Sequence, residues 1–101
     1  MDIKLINRGT TGELILIGRL DANSAPEAEE IFKEMIERFD TIVLNMEQLD
    51  YISSAGLRVI LRLRKEEPKL AIINVASDVY EVLDMTGFTD MITVEKAYPR
   101  M

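Results

Sequence analysis

Two adjacent serines open the segment with the most chemical content in this chain. They are Ser53 and Ser54, in Leu49-Asp50-Tyr51-Ile52-Ser53-Ser54-Ala55-Gly56-Leu57-Arg58-Val59-Ile60-Leu61. An apolar, strand-like stretch gives way here to a helical pattern. Ser54 is placed to act as N-cap, its hydroxyl accepting from the unpaired N–H groups of the first turn. The same N–H groups and the helix macrodipole favour negative charge. A phosphate on Ser54 would fit there and add about −1.5 to −2 charges with strong acceptor oxygens. On an interface, that is enough to turn a partner away. Gly56 lets another backbone approach closely. Capping is what serine usually does at a helix start, so local chemistry alone leaves cap and switch both open.

Hydrolytic chemistry at these serines would need a base, and the chain has neither histidine nor cysteine. No spacing nominates a lysine or carboxylate in that role, so we expect no enzyme, no catalytic residue, no metal site and no cofactor. Gly9-Thr10-Thr11-Gly12 lacks the Gly-Lys-Ser/Thr continuation of a phosphate-binding loop. Arg58, Arg62 and Lys65 share a helix face at i, i+4 and i+7. They read either as a docking stripe for an acidic partner or as a solvated face. Asp21 falls in the loop after the second apolar run, as a turn former or as part of a partner surface. The six methionines are expected to fill gaps in the core and on helix faces.

The elements that must position the serine corner follow from period changes in 101 residues, 48% hydrophobic and 30% charged. Ile3 to Ile6 reads as a first strand, and Arg8 to Glu13 as a hairpin turn with two glycines free for positive φ. Leu14 to Ile17 is an unbroken apolar run, expected of a strand buried on both faces. Ser24-Ala25-Pro26-Glu27 fits a capping box. Ala28, Ile31, Phe32, Met35, Ile36 and Phe39 then recur at helical spacing, with Glu29–Lys33 and Glu34–Arg38 pairs on the wet side. Thr41 to Leu44 is a strand, a second helix runs from near Ser54 to before Pro68, and Leu70 to Ile73 is a strand. A third helix starts near Ser77 and closes at Gly87 in a Schellman-type end, with Phe88 folding back toward Leu83. Ile92 to Val94 is the last strand. The expected class is α/β, in the order β-β-α-β-α-β-α-β: a mixed, mostly parallel sheet covered by helices in one domain, 1–101.

The net charge of −6 argues against direct nucleic-acid binding. No apolar run reaches the roughly 18 residues that would insert into a membrane. The N-terminal residues lack a signal-peptide pattern, and with the lack of cysteine this fits a cytoplasmic protein.

Three motifs in the right order resemble the STAS domain family of sulfate-transporter C-terminal domains and bacterial anti-sigma factor antagonists. Gly18-Arg19-Leu20-Asp21 with Ser24-Ala25-Pro26 is similar to the family's entry into its first helix. Tyr51 to Leu57 resembles its Asp-Ser-Ser/Thr-Gly-Leu signature, and Val79 to Phe88 its third-helix ending. The resemblance implies an anti-sigma factor antagonist that binds an anti-sigma factor of the serine-kinase type and so frees a sigma factor. It implies phosphorylation at Ser54, with Ser53 as the alternative acceptor, and resetting by a metal-dependent serine phosphatase. Partner-binding residues are expected at Asp21, Ser53, Ser54, Ala55, Gly56 and Arg58. The family also contains STAS interaction subunits of transporters or signalling complexes that are not phosphorylated, which is the alternative. Two positions depart from its pattern: Ser53 and Asn45 stand where the family usually has Asp, removing two carboxylates expected beside the serine.

Overall fold

In a computed structural model that describes residues 1–97, the chain runs β1 (Asp2–Arg8), β2 (Thr11–Leu20), α1 (Ala25–Arg38), β3 (Thr41–Asn45), β4 (Leu49–Ile52), α2 (Ser54–Glu66), β5 (Ala71–Val75), α3 (Ser77–Met85), α4 (Phe88–Met91) and β6 (Thr93–Lys96). Residues 98–101 of the expected domain lie outside the described residues. The α/β class and mixed sheet are as expected. The order gains a strand, β4, and a one-turn helix, α4, that the periodicity did not separate.

The sheet order is β1-β2-β3-β5-β6, with β1 antiparallel to β2 and the other pairs parallel. β2 is the organising strand. Its first half, Thr11 to Ile15, pairs with β3, and its second half, Gly18 to Leu20, pairs with β4. Thus β3 and β4 follow one another along β2, separated by residues 46–48. A register shift between Gly18 and Arg19, with Gly18 at φ 103°, falls within the β4 pairing, just past the change of partner. Glycine is the residue that takes such a positive φ without steric cost.

Burial in the central strands alternates. Leu14, Leu16, Ile42, Leu44 and Ile72 are fully buried and join Phe32 and Met35 of α1, Val59, Ile60 and Leu63 of α2, and Val79 and Leu83 of α3 in one core. Ile15, Ile17, Val43 and Ile73, on the opposite parity, are only half-buried. The Leu14–Ile17 run is therefore covered fully on one face, not on both. All four residues are apolar, so period could not distinguish the faces.

Local corrections have identifiable causes. The hairpin turn is the two-residue Gly9-Thr10, with Gly9 at φ 79°, and Gly12 lies inside β2. Gly12 has no positive φ to supply; it makes room for the Phe39 ring, which a Cβ there would approach to 2.6 Å. Ser24 makes no capping box, because its hydroxyl is spent on the preceding loop. Pro26 does sit in the first turn of α1. Glu29 reaches across to Arg62 of α2 at 2.8 Å, a longer-range partner than Lys33. Gly87 adopts φ 83° after α3, with its N–H donating to the Asp84 carbonyl at 3.1 Å, one of the two Schellman bonds. Among the methionines, Met35 and Met46 are buried, whereas Met85 and Met91 are exposed.

Candidate functional site

The corner where β2 and β4 end and α2 begins gathers the serines. The Ser53 N–H donates to the Leu20 carbonyl at 2.9 Å, tying the start of α2 to the end of β2. Ser53 has extended backbone (φ −101°, ψ 176°), and its Oγ accepts from the Gly56 N–H at 3.4 Å. Ser53 is therefore the N-cap, not Ser54. Extended backbone followed by helix is the cap's signature, and one residue of register decides which serine has it. Ser54 is the first helical residue. It is exposed, and its hydroxyl has no hydrogen-bond partner among the described residues.

Gly56 is buried. A Cβ on it would lie 2.7 Å from the Leu20 carbonyl oxygen, 2.8 Å from Leu20 Cγ and 3.0 Å from Ile52 Cγ1. The close approach expected at Gly56 is thus made by the chain's own β2. Ala55 is half-buried and Arg58, one turn on from Ser54, is exposed. Ala55 and Arg58 line a shallow groove with Ala22, Ala25, Pro26 and Arg62, joining α2 to the loop before α1. Among the described residues Arg58 has no ion-pair partner, whereas Arg62 is held by Glu29.

Asp21 follows Leu20 directly, so its loop borders the serine corner. The carboxylate is engaged within that loop: Oδ1 accepts from the N–H groups of Asn23 at 3.0 Å and Ser24 at 3.2 Å. The Ser24 hydroxyl donates to the Arg19 carbonyl at 2.7 Å and accepts from the Asp21 N–H at 3.0 Å. The Ser24 N–H above all holds the Asp21 carboxyl below its ordinary range, against the opposing cost of desolvation; the Asn23 N–H, the Ser24 hydroxyl and the Arg19 guanidinium lower it further. Because folding lowers this pKa, the stability it contributes is present above the ordinary carboxylate range and is lost as pH falls through the folded value.

Two features of the site escaped sequence reasoning. Tyr51 is 42% exposed beside the corner, with the Arg19 guanidinium 4.2 Å above its ring. Only the pairing of Arg19 with Tyr51 across β2 and β4 makes this visible. The second feature concerns Asn45. It lies opposite Ile15, while Ser53 lies past Leu20, roughly 16 Å farther along β2 at about 3.3 Å per residue. Asn45 is therefore not beside the serines, and of the two missing carboxylates only the one at Ser53 bears on them. Asn45 instead donates from Nδ2 to Glu13 Oε2 at 3.1 Å, while Arg8 Nε meets Glu13 Oε1 at 3.0 Å. Glu13 is only 8% exposed. An Asp at position 45 would set two carboxylates against each other, which explains the amide.

The corner offers an unhindered hydroxyl on a rigid platform, close to an arginine without a carboxylate and an exposed aromatic ring. Such an arrangement suits a group delivered by another protein and an interface that registers it.

Comparison with known proteins gives the corner a context. Residues 3–100 match the STAS domain family. BtrV of Bordetella bronchiseptica, named as an anti-sigma factor antagonist, is 35% identical over 100 residues, covering 91% of this chain and 85% of BtrV. The fold is shared with an anti-sigma factor antagonist from Mycobacterium paratuberculosis, at a TM-score of 0.85 and 13% identity over 99% of this chain and 86% of that one. It is also shared with the anti-sigma factor antagonist SpoIIAA in its unphosphorylated form, at a TM-score of 0.78 and 20% identity over 92% of this chain and 87% of SpoIIAA. The phosphorylated form of the Bacillus SpoIIAA superposes at a TM-score of 0.71, with 19% identity over 92% of this chain and 90% of that one.

Proposed function

The chain belongs to the STAS domain family, and on that premise we propose that it is an anti-sigma factor antagonist switched by phosphorylation of Ser54. One observation carries the reading: of the two adjacent serines, Ser53 is used up as the cap of α2, which leaves Ser54 exposed with a free hydroxyl. The relative BtrV is named as an anti-sigma factor antagonist, and SpoIIAA is known in phosphorylated and unphosphorylated forms.

In the unmodified state the corner docks on a cytoplasmic anti-sigma factor of the serine-kinase type and displaces the sigma factor. The surface used consists of Ser54, Ala55, Arg58 and the Asp21 loop, with Tyr51 beside it. The kinase then transfers the γ-phosphoryl group of ATP. An O–P bond forms at Ser54 Oγ, the β–γ bond of ATP breaks, and a kinase base takes the hydroxyl proton. The chain itself supplies no catalytic group. The phosphoserine carries about −1.5 to −2 charges where a neutral hydroxyl stood, and the desolvation and repulsion of that charge expel the partner. Arg58, one turn on, lies on the same side of α2 and is available to hold the phosphate. A metal-dependent phosphatase restores the hydroxyl by hydrolysis.

The test is a binding titration against the cognate anti-sigma factor with phosphate mapping. Ser54→Asp weakens the complex at least about tenfold, equivalent to ~1.4 kcal/mol. Ser54→Ala binds normally but takes no phosphate, and Ser53→Ala is still modified at Ser54. Phosphate mapped to Ser53, or equal binding by Ser54→Asp, overturns the switch. Capture of a membrane transporter subunit with no sigma regulator would support the unphosphorylated interaction-subunit reading instead.

A further inference from the structure

Every sheet that does not close has two edges, and each edge presents unpaired backbone N–H and C=O groups to water. Here the edges differ. β6 has four residues, and its pairing with β5 is interrupted between Ile72 and Val75. β1 has seven residues, contains no proline and pairs with β2 at every position from Asp2–Ile17 to Arg8–Thr11 without a register shift. Its outer side therefore offers seven regular residues for pairing. The side chains divide by parity. Ile3, Leu5 and Asn7 lie on the helix-covered face with Leu16, Leu14 and Gly12, and Asp2, Lys4, Ile6 and Arg8 lie on the other. Leu5 is 36% exposed at this open edge.

We propose that β1 is a homodimerisation edge, on which a second copy of this chain pairs antiparallel with Leu5 opposite Leu5. A two-fold axis normal to the sheet keeps paired side chains on one face, so only registers that move in steps of two residues are available. Charge then selects among them. With Leu5 at the axis, Asp2 stands opposite Arg8 of the second copy at both ends, and Lys4 lays its aliphatic stem along Ile6. Moving the axis to Lys4 sets Lys4 against Lys4, and moving it to Ile6 sets Lys4 against Arg8. Like charges directly opposed are destabilising. The Leu5 register is also the only one of the three that pairs all seven residues. Arg8 already meets Glu13 at 3.0 Å through Nε, but a guanidinium has five N–H donors and can hold a second carboxylate.

The dimer extends one sheet across both copies, with the helices of both on the same side. Ser53 is tied to Leu20, at the Asp2 end of β1, and antiparallel pairing points the two serine corners toward opposite ends. Both corners remain open, so a dimer presents two independent docking sites. This inference goes beyond the switch and does not depend on it.

The native chain has no cysteine, so a single introduced thiol reports one position. Leu5→Cys, Lys4→Cys, Ile6→Cys and Asn7→Cys are treated separately with a short bismaleimide, after circular dichroism confirms that each is folded. Only position 5 faces its own copy, so Leu5→Cys should cross-link about tenfold faster than the other three, whose thiols sit diagonally or farther apart. Equal rates at all four positions, or a maximum at another, overturn the proposal. In the Leu5→Cys background, Asp2→Arg alone and Arg8→Asp alone slow cross-linking, and the two together restore it. Failure of the double variant to recover overturns the register.

Discussion

At the residue scale, adjacent and chemically identical side chains are separated by backbone conformation. Ser53 holds extended φ and ψ and spends its hydroxyl on the Gly56 N–H, while Ser54 is already helical and points its hydroxyl to solvent. On the proposed reading stability and signalling fall to different serines, and stability measurement separates them. Ser53→Ala removes a cap whose 3.4 Å bond is long, so the loss falls at about 0.5–1 kcal/mol, near the lower end for caps. Ser54→Ala stays within about 0.5 kcal/mol of the parent, as surface changes do. Urea unfolding of both variants checks this, and a larger loss for Ser54→Ala would reverse the assignment. Asp21 shows the same economy, since most of its hydrogen bonding stays in its own loop and its acidity follows from that loop.

At the element scale, the position of the serine corner depends on how closely α2 lies on β2. Gly56 sets that distance. Its missing side chain lets the first turn of α2 rest on the Leu20 carbonyl, the same group to which Ser53 donates. Gly56→Ala forces a 2.7 Å contact with backbone oxygen that no rotamer change relieves, so the helix must shift. The expected loss is about 1–3 kcal/mol, the range for overpacking. Chemical denaturation measures that loss, and amide chemical shifts should change most at residues 51–58. Gly12→Ala, facing the ring of Phe39, is the comparison in which a side chain can move. If Gly56→Ala proves neutral with the corner unshifted, the docking argument fails.

At the scale of the whole molecule, one core joins the buried face of the sheet to α1, α2, α3 and α4, and no second core divides the described residues. Leu83 of α3 is fully buried in it. Leu83→Ala should cost about 2–5 kcal/mol. The loss should lower a single cooperative transition, seen alike by far-ultraviolet circular dichroism and tyrosine fluorescence. Separate transitions for the two probes would show that α3 and the sheet melt independently. The uncovered face is the other global feature. Half-buried Ile15, Val43 and Ile73 surround a polar knot of Arg8, Glu13 and Asn45, so that this face is apolar in composition but anchored by charge.

The alternation of period along the chain was sufficient to place α1, α2, α3 and the strands near residues 42, 72 and 94, because regular elements expose one face and bury another. The start of a helix at Ser53-Ser54 was legible for the same reason, since the helical spacing that follows the serines requires a helix to begin there. β4 was not legible: its burial is in–out–out–in from Leu49 to Ile52, which matches no strand period, and it exists because β2 offers a free half. α4, four residues long, is too short to show a period. Which serine caps depends on one residue of register, and the partners of Arg19, Glu29 and Asn45 depend on strands and helices meeting across long sequence distances. Sequence determined what the long periodic segments become, through local geometry and hydrophobic spacing. Tertiary structure alone decided which side chains meet, because pairing register and helix docking are properties of two segments at once.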